Sequence, residues 1–141
     1  MVLSEIKKNE EKSNMMAGYH TLNYIAPYRD KHLTINFHRG EIFLDGMEVP
    51  LTRKEFNLLV LMVQNRGEII PRDILLFRIW GYGREVRTRT LDVHIRRLRK
   101  KLEPFGDSYI ETVFGLGYRF QEYRLQKPLD TYLNPSVYMT F

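Results

Sequence analysis

The residues best suited to do chemistry lie in a basic segment between Arg84 and Lys101. Eight lysines and arginines stand there against Glu85 and Asp92, which gives the segment a net charge of +6. The whole chain carries +5, so the rest of it carries −1, the difference between these two values. A positive charge concentrated in one short segment is typical of a surface that binds a polyanion.

Apolar residues interrupt this segment at helical intervals. On an ideal helix that turns by about 100° per residue, four of them fall within about 60° of one another: Leu91, Ile95, Leu98 and Leu102. We expect this stripe to be buried and the opposite side to be exposed. The exposed side carries Arg89, Val93, Arg96, Arg97 and Lys100, with Thr90, His94 and Lys101 on one flank and Asp92 and Arg99 on the other.

A charged helix face is most often simply solvated, but this one has almost a single sign. Like charges one turn apart, such as Arg96 and Lys100, disfavour an isolated helix by a few tenths of a kcal/mol per pair. An α-helix fits the major groove of DNA, where Arg97 would donate to guanine and Val93 would contact a thymine methyl group. Phosphates would be held by Arg89, Thr90, Arg96 and Lys100.

Other chemistries find little support in the composition. The chain has no cysteine and four scattered histidines, so we expect neither a disulfide nor a metal site. No nucleophile elbow, phosphate loop or carboxylate pair is present, and we expect no enzymatic activity and no cofactor. The sequence contains neither a membrane-spanning stretch nor a secretory signal, which predicts a cytoplasmic protein without membrane association.

The N-terminal half predicts a tail, a sheet and a helix. Residues 1–20 are polar and predict a disordered or linker tail ahead of a domain over 21–122. Short β-rich runs follow, and Asp45–Gly46 predicts a tight hairpin turn between two of them. Thr52 and Glu55 form a capping box, so a helix is predicted over 53–66.

The C-terminal half predicts two more helices and a hairpin. The second helix begins at Pro71 and ends at Gly81, and the third covers 88–102. A hairpin is predicted over 109–121, with Tyr118 and Arg119 placed to meet the DNA backbone or minor groove. Residues 123–141 form a C-terminal extension, and the fold class is α+β.

Three stretches resemble the winged-helix effector domain of OmpR/PhoB-type response regulators. They are "LDGMEVPLTRKEFNLLVLMVQNRGEIIPRDILLFRIWG", "RTRTLDVHIRRLRKKLE" and "IETVFGLGYRF", and the resemblance covers about residues 33–121. It implies a winged helix-turn-helix with a four-stranded N-terminal antiparallel sheet, a three-helix bundle and a C-terminal hairpin wing. It also implies sequence-specific binding of double-stranded DNA to regulate transcription, commonly as a dimer on directly repeated half-sites.

The resemblance also assigns positions. The recognition helix would carry Arg89, Thr90, Val93, His94, Arg96, Arg97 and Arg99, and the wing would carry Tyr118. The loop 81–87 would contact RNA polymerase, although "GYGREVR" is short for that purpose. Phe114 stands at the wing tip where the family often has arginine. The roughly 30 residues before the first strand cannot hold a receiver module of about 120 residues, so the chain is either an excised effector domain or a regulator that works without a receiver.

One other class of function competes with DNA binding. A winged helix can serve as a protein-interaction module that contacts RNA polymerase or another regulator, through the third helix or through Phe114. The basic segment argues against this alternative because the cores of protein interfaces are depleted in lysine.

Overall fold

The computed structural model describes residues 25–124, which fold into two antiparallel sheets with three longer helices and one short helix. The predicted N-terminal tail, 1–20, lies outside the described residues. So does the predicted extension, 123–141, apart from its first two residues.

The N-terminal sheet is four-stranded. Its strands are β1 (Tyr28–Arg29), β2 (Leu33–Asn36), β3 (Glu41–Leu44) and β4 (Met47–Glu48), paired antiparallel in chain order. Asp45 and Gly46 join β3 to β4 with φ of 49° and 79°, the two positive values that a tight hairpin turn of this kind requires. The predicted N-terminal antiparallel sheet is confirmed.

Helix α1 (Arg53–Gln64) begins at the predicted capping box. The Thr52 hydroxyl accepts from the Glu55 amide at 3.2 Å, and the Glu55 carboxylate accepts from the Thr52 amide at 2.9 Å. The apolar side of the helix is buried. Its last helical residue, Gln64, comes two positions before the predicted end.

Three further helices follow: α2 (Arg72–Trp80), α3 (Thr90–Lys101) and α4 (Gly106–Tyr109). Gly81 ends α2 in a left-handed conformation with φ of 74°, as the glycine there predicted. The four-residue helix α4 was not predicted. It lies directly against α3, since a Cβ on Gly106 would come within 2.0 Å of the Arg99 carbonyl oxygen.

The second sheet corrects the predicted two-stranded hairpin, because it has three strands. They are β5 (Ile69–Pro71), β6 (Ile110–Val113) and β7 (Gly117–Phe120), in the order β5-β7-β6. The backbones of β5 and β7 approach so closely at this point that a Cβ on Gly117 would meet the Ile70 carbonyl oxygen at 2.0 Å. We refer to β6, β7 and the turn between them, residues 110–120, as the wing.

The core joins both sheets to α1 and α3. The predicted leucine-rich stripe of α3 is confirmed, because four side chains are fully buried: Leu91, Ile95, Leu98 and Leu102. This burial fixes the rotation of α3 about its axis. The opposite side of the helix must then face outward.

Asp30 connects the N-terminal sheet to the end of the wing. Its carboxylate accepts from the amides of His32 and Leu33 and from the hydroxyls of Tyr28 and Tyr109, at distances of 2.7 to 2.9 Å. The Tyr123 amide donates to it at 3.2 Å. Burial alone would raise the pKa of Asp30, but these hydrogen bonds outweigh it and lower the pKa.

Candidate nucleic-acid interface

The outward face of α3 carries an apolar residue among cations. Val93 is 42% exposed, and Arg96, Arg97 and Lys100 are exposed around it. These residues stand three, four and seven positions after Val93, so they share one side of the helix. The geometry confirms the helical phase that the sequence predicted, and it presents these four side chains on one surface.

Three of the eight cations in the basic segment are engaged within the domain. Arg84 pairs with Asp73 at 3.0 Å, Lys101 pairs with Glu55 at 2.7 Å, and Arg99 is held by the wing. By contrast, within residues 25–124 the side chains of Arg96, Arg97 and Lys100 make no hydrogen bond and no ion pair. The unpaired cations of α3 are therefore available to an external anion.

The helix dipole explains why some of the cations of α3 are favourable where they stand. Arg99, Lys100 and Lys101 lie in the last turn, where the partial negative charge at the end of a helix stabilises cations. That effect fades beyond one turn, so it does not explain Arg96 and Arg97. The helix dipole therefore does not stabilise these two arginines.

The start of α3 contains Arg89 and Thr90. Arg89 is exposed at the N-cap position, and its charge contributes to a lowered pKa of Asp92. The Thr88 hydroxyl donates to the Thr90 hydroxyl at 3.0 Å and accepts from the Thr90 amide at 3.1 Å. Thr88 thus supports the first turn of α3 from outside it, where the sequence had predicted the helix itself to begin.

His94 contacts α2. Its Nδ1 lies 2.8 Å from the Thr90 carbonyl oxygen, and its ring packs edge-on against Trp80 with centroids 4.8 Å apart. The half-buried ring therefore braces the end of α2 against α3. A direct contact between His94 and DNA remains a prediction.

Arg99 is used inside the domain, which departs from its predicted place on DNA. Its guanidinium donates to the Ile110 carbonyl oxygen at 2.8 Å and to the Thr112 hydroxyl at 2.7 Å, and it lies 5.8 Å from the centre of the Tyr118 ring. These contacts tie α3 to β6. The physical reason is the position of Arg99 on the flank of the helix that faces the wing.

Tyr118 is also turned inward, contrary to the predicted surface role. It is 6% exposed, and its hydroxyl donates to Asp92 at 2.5 Å. Arg72 donates to both oxygens of the same carboxylate, and this contact is the first cause of the lowered pKa of Asp92. The Asp92 carboxylate therefore joins α2, α3 and β7.

Arg119 lies on the other face of the wing. Its guanidinium pairs with Glu111 on β6 at 2.8 Å, and Gln121 contacts the same carboxylate. The charge of Arg119 is therefore balanced within the wing. Its role toward DNA remains a prediction.

A groove of about 660 Å³ separates α3 from the base of the wing. Its lining includes the unpaired side chains of Arg96 and Lys100 from α3 and Tyr118 from the wing. Acidic residues also line it: Asp92, Glu103 and Asp107. The groove therefore offers cations mainly along its α3 wall.

In the part of the chain that the structure describes, no group of three or more histidine, aspartate or glutamate side chains could hold a metal ion. Over the same residues, no helix has the length and apolar character needed to cross a membrane.

Comparison with known sequences connects this surface to a family. The sequence profile described as "Transcriptional regulatory protein, C terminal" matches residues 46–120. The response regulator ArlR of Staphylococcus saprophyticus is 44% identical over 89 residues, which cover 62% of this chain and 40% of that protein. The regulatory protein VanRB of Enterococcus faecalis is 42% identical over 95 residues, covering 67% of this chain and 42% of that protein. The chain thus matches about two fifths of the length of these relatives.

A solved structure shares the fold. It contains the DNA-binding domain of RstA from Klebsiella pneumoniae in complex with the RstA box. The TM-score is 0.62 at 33% sequence identity, and the similarity covers 69% of this chain and 98% of that domain. Nearly all of that domain therefore has a counterpart in the chain.

Proposed function

Since the chain belongs to the family of transcriptional regulatory protein C-terminal domains, which are DNA-binding domains of transcription regulators, we propose that it reads duplex DNA with α3. Helix α3 enters the major groove, and the wing lies beside it on the same duplex. The bound sites are specific sequences that control transcription. Relatives named response regulators support an effector role of this kind.

One observation carries this proposal: α3 is anchored by a fully buried apolar stripe and presents unpaired cations on the other side. A major groove about 12 Å wide admits a helix of this diameter. Phosphates neutralise exposed cations and release counterions, which supplies binding energy without sequence information. Helix α3 therefore supplies both the shape that fits the major groove and the charge that neutralises phosphates.

The residues of α3 and its N-cap divide into three roles. Arg97 donates two hydrogen bonds to guanine, and Val93 contacts a thymine methyl group. Phosphates are contacted by Arg89, Thr90, Arg96 and Lys100. His94 and Arg99 act chiefly by holding α3 against α2 and the wing, and Tyr118 and Arg119 shape the wing beside the backbone.

The partners follow from the resemblance to OmpR/PhoB-type effectors. We propose that two copies bind directly repeated half-sites and that the domain works in the cytoplasm. The loop 81–87 contacts RNA polymerase, and the exposed side chains of Tyr82 and Val86 give it apolar surface for that contact.

A protein-interaction module is the second candidate. The observation that favours it is Phe77 on α2, which is 60% exposed beside the exposed Ile74. Two side chains are smaller than a stable protein interface requires, so neighbouring surface would have to join them in a docking site. The patch lies on α2, whereas the unpaired cations lie on α3. A protein-interaction function replaces DNA binding only if substitution of those cations leaves DNA binding unchanged.

Site selection from a random duplex pool with the full chain tests the proposal. We expect an enriched motif, and log K for that motif should fall by roughly 0.9 per phosphate contact for each tenfold rise in salt. The double variant Arg96→Gln with Lys100→Gln should reduce this slope by about two. The matched control, Arg29→Gln in the N-terminal sheet, should leave it unchanged. Recovery of no motif would contradict sequence-specific binding.

A further inference from the structure

The tip of the wing is apolar and projects into solvent. Phe114 is 92% exposed and Leu116 is 59% exposed, and they flank Gly115 in the turn. The Leu116 amide donates to the Val113 carbonyl oxygen at 3.0 Å, and Gly115 has a φ of 75°. This hydrogen bond and the positive φ define a tight turn with Phe114 at its corner. The wing therefore holds an aromatic ring away from its own core.

The tip offers no charged side chain to a phosphate. No charged residue stands between Glu111 and Arg119, and the Arg119 guanidinium is already paired with Glu111 at 2.8 Å. The backbone of the turn is also closed on itself through Val113 and Leu116. The exposed side chains of the tip therefore favour a partner that offers apolar surface.

Side-chain hydrogen bonds hold the wing against α3. Arg99 holds Ile110 and Thr112 on β6, and the Tyr118 hydroxyl holds Asp92 on α3. Any duplex that receives α3 therefore also meets the wing. At about 3.3 Å per residue, Phe114 lies roughly 13 Å along the strand from Ile110. This distance approaches half of the ~34 Å helical repeat of DNA. Half of the repeat is roughly the spacing between a major groove and the next minor groove.

The size of the patch favours a base stack over a protein surface. A stable protein interface takes about 800 Å² from each partner. Two exposed side chains supply only a few hundred Å², since a phenylalanine buries roughly 150–250 Å². A single apolar ring is enough, however, to enter a base step from the minor groove and to bend the duplex.

We propose that Phe114 acts as a wedge, inserting between neighbouring base pairs of the minor groove beside the site read by α3. Leu116 covers the sugar edge next to it. The insertion partly unstacks that step and bends the duplex toward the major groove. This inference rests on the proposed function, because it places the tip on the DNA that α3 binds.

The test uses the full chain and a duplex that carries the motif selected by the wild-type protein. One strand contains 2-aminopurine at successive positions beyond the motif, because this base brightens when it is unstacked. A donor and an acceptor dye at the duplex ends report bending. With the wild-type protein we expect brightening at one step and a shorter distance between the ends.

Phe114→Ala should abolish both signals and weaken binding roughly five- to a hundredfold, the range found for the loss of one base–aromatic stack. Its salt slope should stay as in the wild type, since no phosphate contact is lost. Phe114→Arg should raise that slope by about one. Phe77→Ala is the matched control, because it removes an exposed phenylalanine from α2 and should leave both signals intact.

Three results would overturn the wedge, each in a different way. If the wild-type protein binds the motif without brightening or bending, the wedge is wrong while the proposed function stands. If Phe114→Ala keeps full DNA affinity but reduces self-association in sedimentation, the tip contacts a second copy of the chain. Absence of duplex binding by the wild-type protein would instead remove the proposed function and the wedge together.

Discussion

The Tyr118 hydroxyl donates a hydrogen bond of 2.5 Å to the Asp92 carboxylate, linking the last strand of the wing to the first turn of α3. Burial, with Asp92 as a further cause, raises the pKa of Tyr118 to about 12. The phenol is therefore protonated and able to donate at neutral pH. Together with the hydrogen bonds of Arg99 to β6, this bond sets the position of the wing relative to the face that we propose reads DNA.

Tyr118→Phe keeps the buried ring and removes only this bond. We expect a loss of about 1–2 kcal/mol in the free energy of unfolding, because the acceptor is charged but partly exposed. Urea unfolding monitored by circular dichroism measures it. Tyr82→Phe is the control, since within residues 25–124 the Tyr82 hydroxyl makes no hydrogen bond. Equal losses in the two variants would contradict the role given to the bond.

Arg97 and Arg89 should differ in how they affect DNA recognition. Arg97→Ala should cost roughly 1–3 kcal/mol on the preferred motif and relax the preference at one base position. Arg89→Ala should weaken binding to all sequences alike, because a phosphate contact carries no base information. Affinities on the motif and its single-base variants distinguish the two. Arg29→Ala should match the wild type, and identical profiles for all three variants would remove α3 from the interface.

Leu98 tests the buried side of α3. Leu98→Ala should lower the free energy of unfolding by roughly 2–5 kcal/mol, since the side chain is fully buried and its truncation leaves a cavity. Val93→Ala, on the exposed side of the same helix, should change it by less than about 0.5 kcal/mol. Thermal or urea unfolding of both variants gives the comparison. A reversed order would show that α3 is rotated from the position described.

Lys101 and Lys100 are neighbours with different surroundings. Lys101 pairs with the buried Glu55 at 2.7 Å, whereas Lys100 has no such partner among the described residues. Lys101→Met should cost about 1–3 kcal/mol, because it leaves the Glu55 carboxylate buried without a cation. Lys100→Met should cost little stability but should reduce DNA affinity. Calorimetry and DNA titration of both variants check the two effects separately.

Asp30 should make the domain sensitive to acid. Its pKa in the folded chain lies below the ordinary value of 3.8, so the unfolded chain binds a proton more readily. The stabilisation is complete above the ordinary pKa and is lost as the pH falls through the lowered one. Asp30→Asn should therefore reduce the melting temperature at neutral pH and flatten its fall in acid. A parallel fall in both proteins would contradict this role of the carboxylate.

Local patterns made much of the fold predictable. The capping box of Thr52 and Glu55, the Asp45–Gly46 turn and the leucine stripe each depend on residues within a few positions of one another. Hydrogen-bond geometry and helical periodicity determine such features directly. The exposed face of α3 was predictable for the same reason, since burying Leu98 and its neighbours turns Arg97 outward.

Long-range contacts determined what the sequence did not reveal. Strand β5 has three residues and ends in proline, so its pairing with β7 has no local signal. The Asp30 carboxylate reaches Tyr109 and Tyr123, which stand 79 and 93 positions later. The inward roles of Arg99 and Tyr118 likewise exist only because the wing packs against α3. A helical wheel treats the helix alone and leaves such partners out.

The hydrogen bond between Asp30 and the Tyr123 amide brings the two ends of the domain to one corner. Fusion partners attached at both ends would therefore crowd each other there. A short linker across this corner would close the chain for circular permutation and leave the order of α3 and the wing intact.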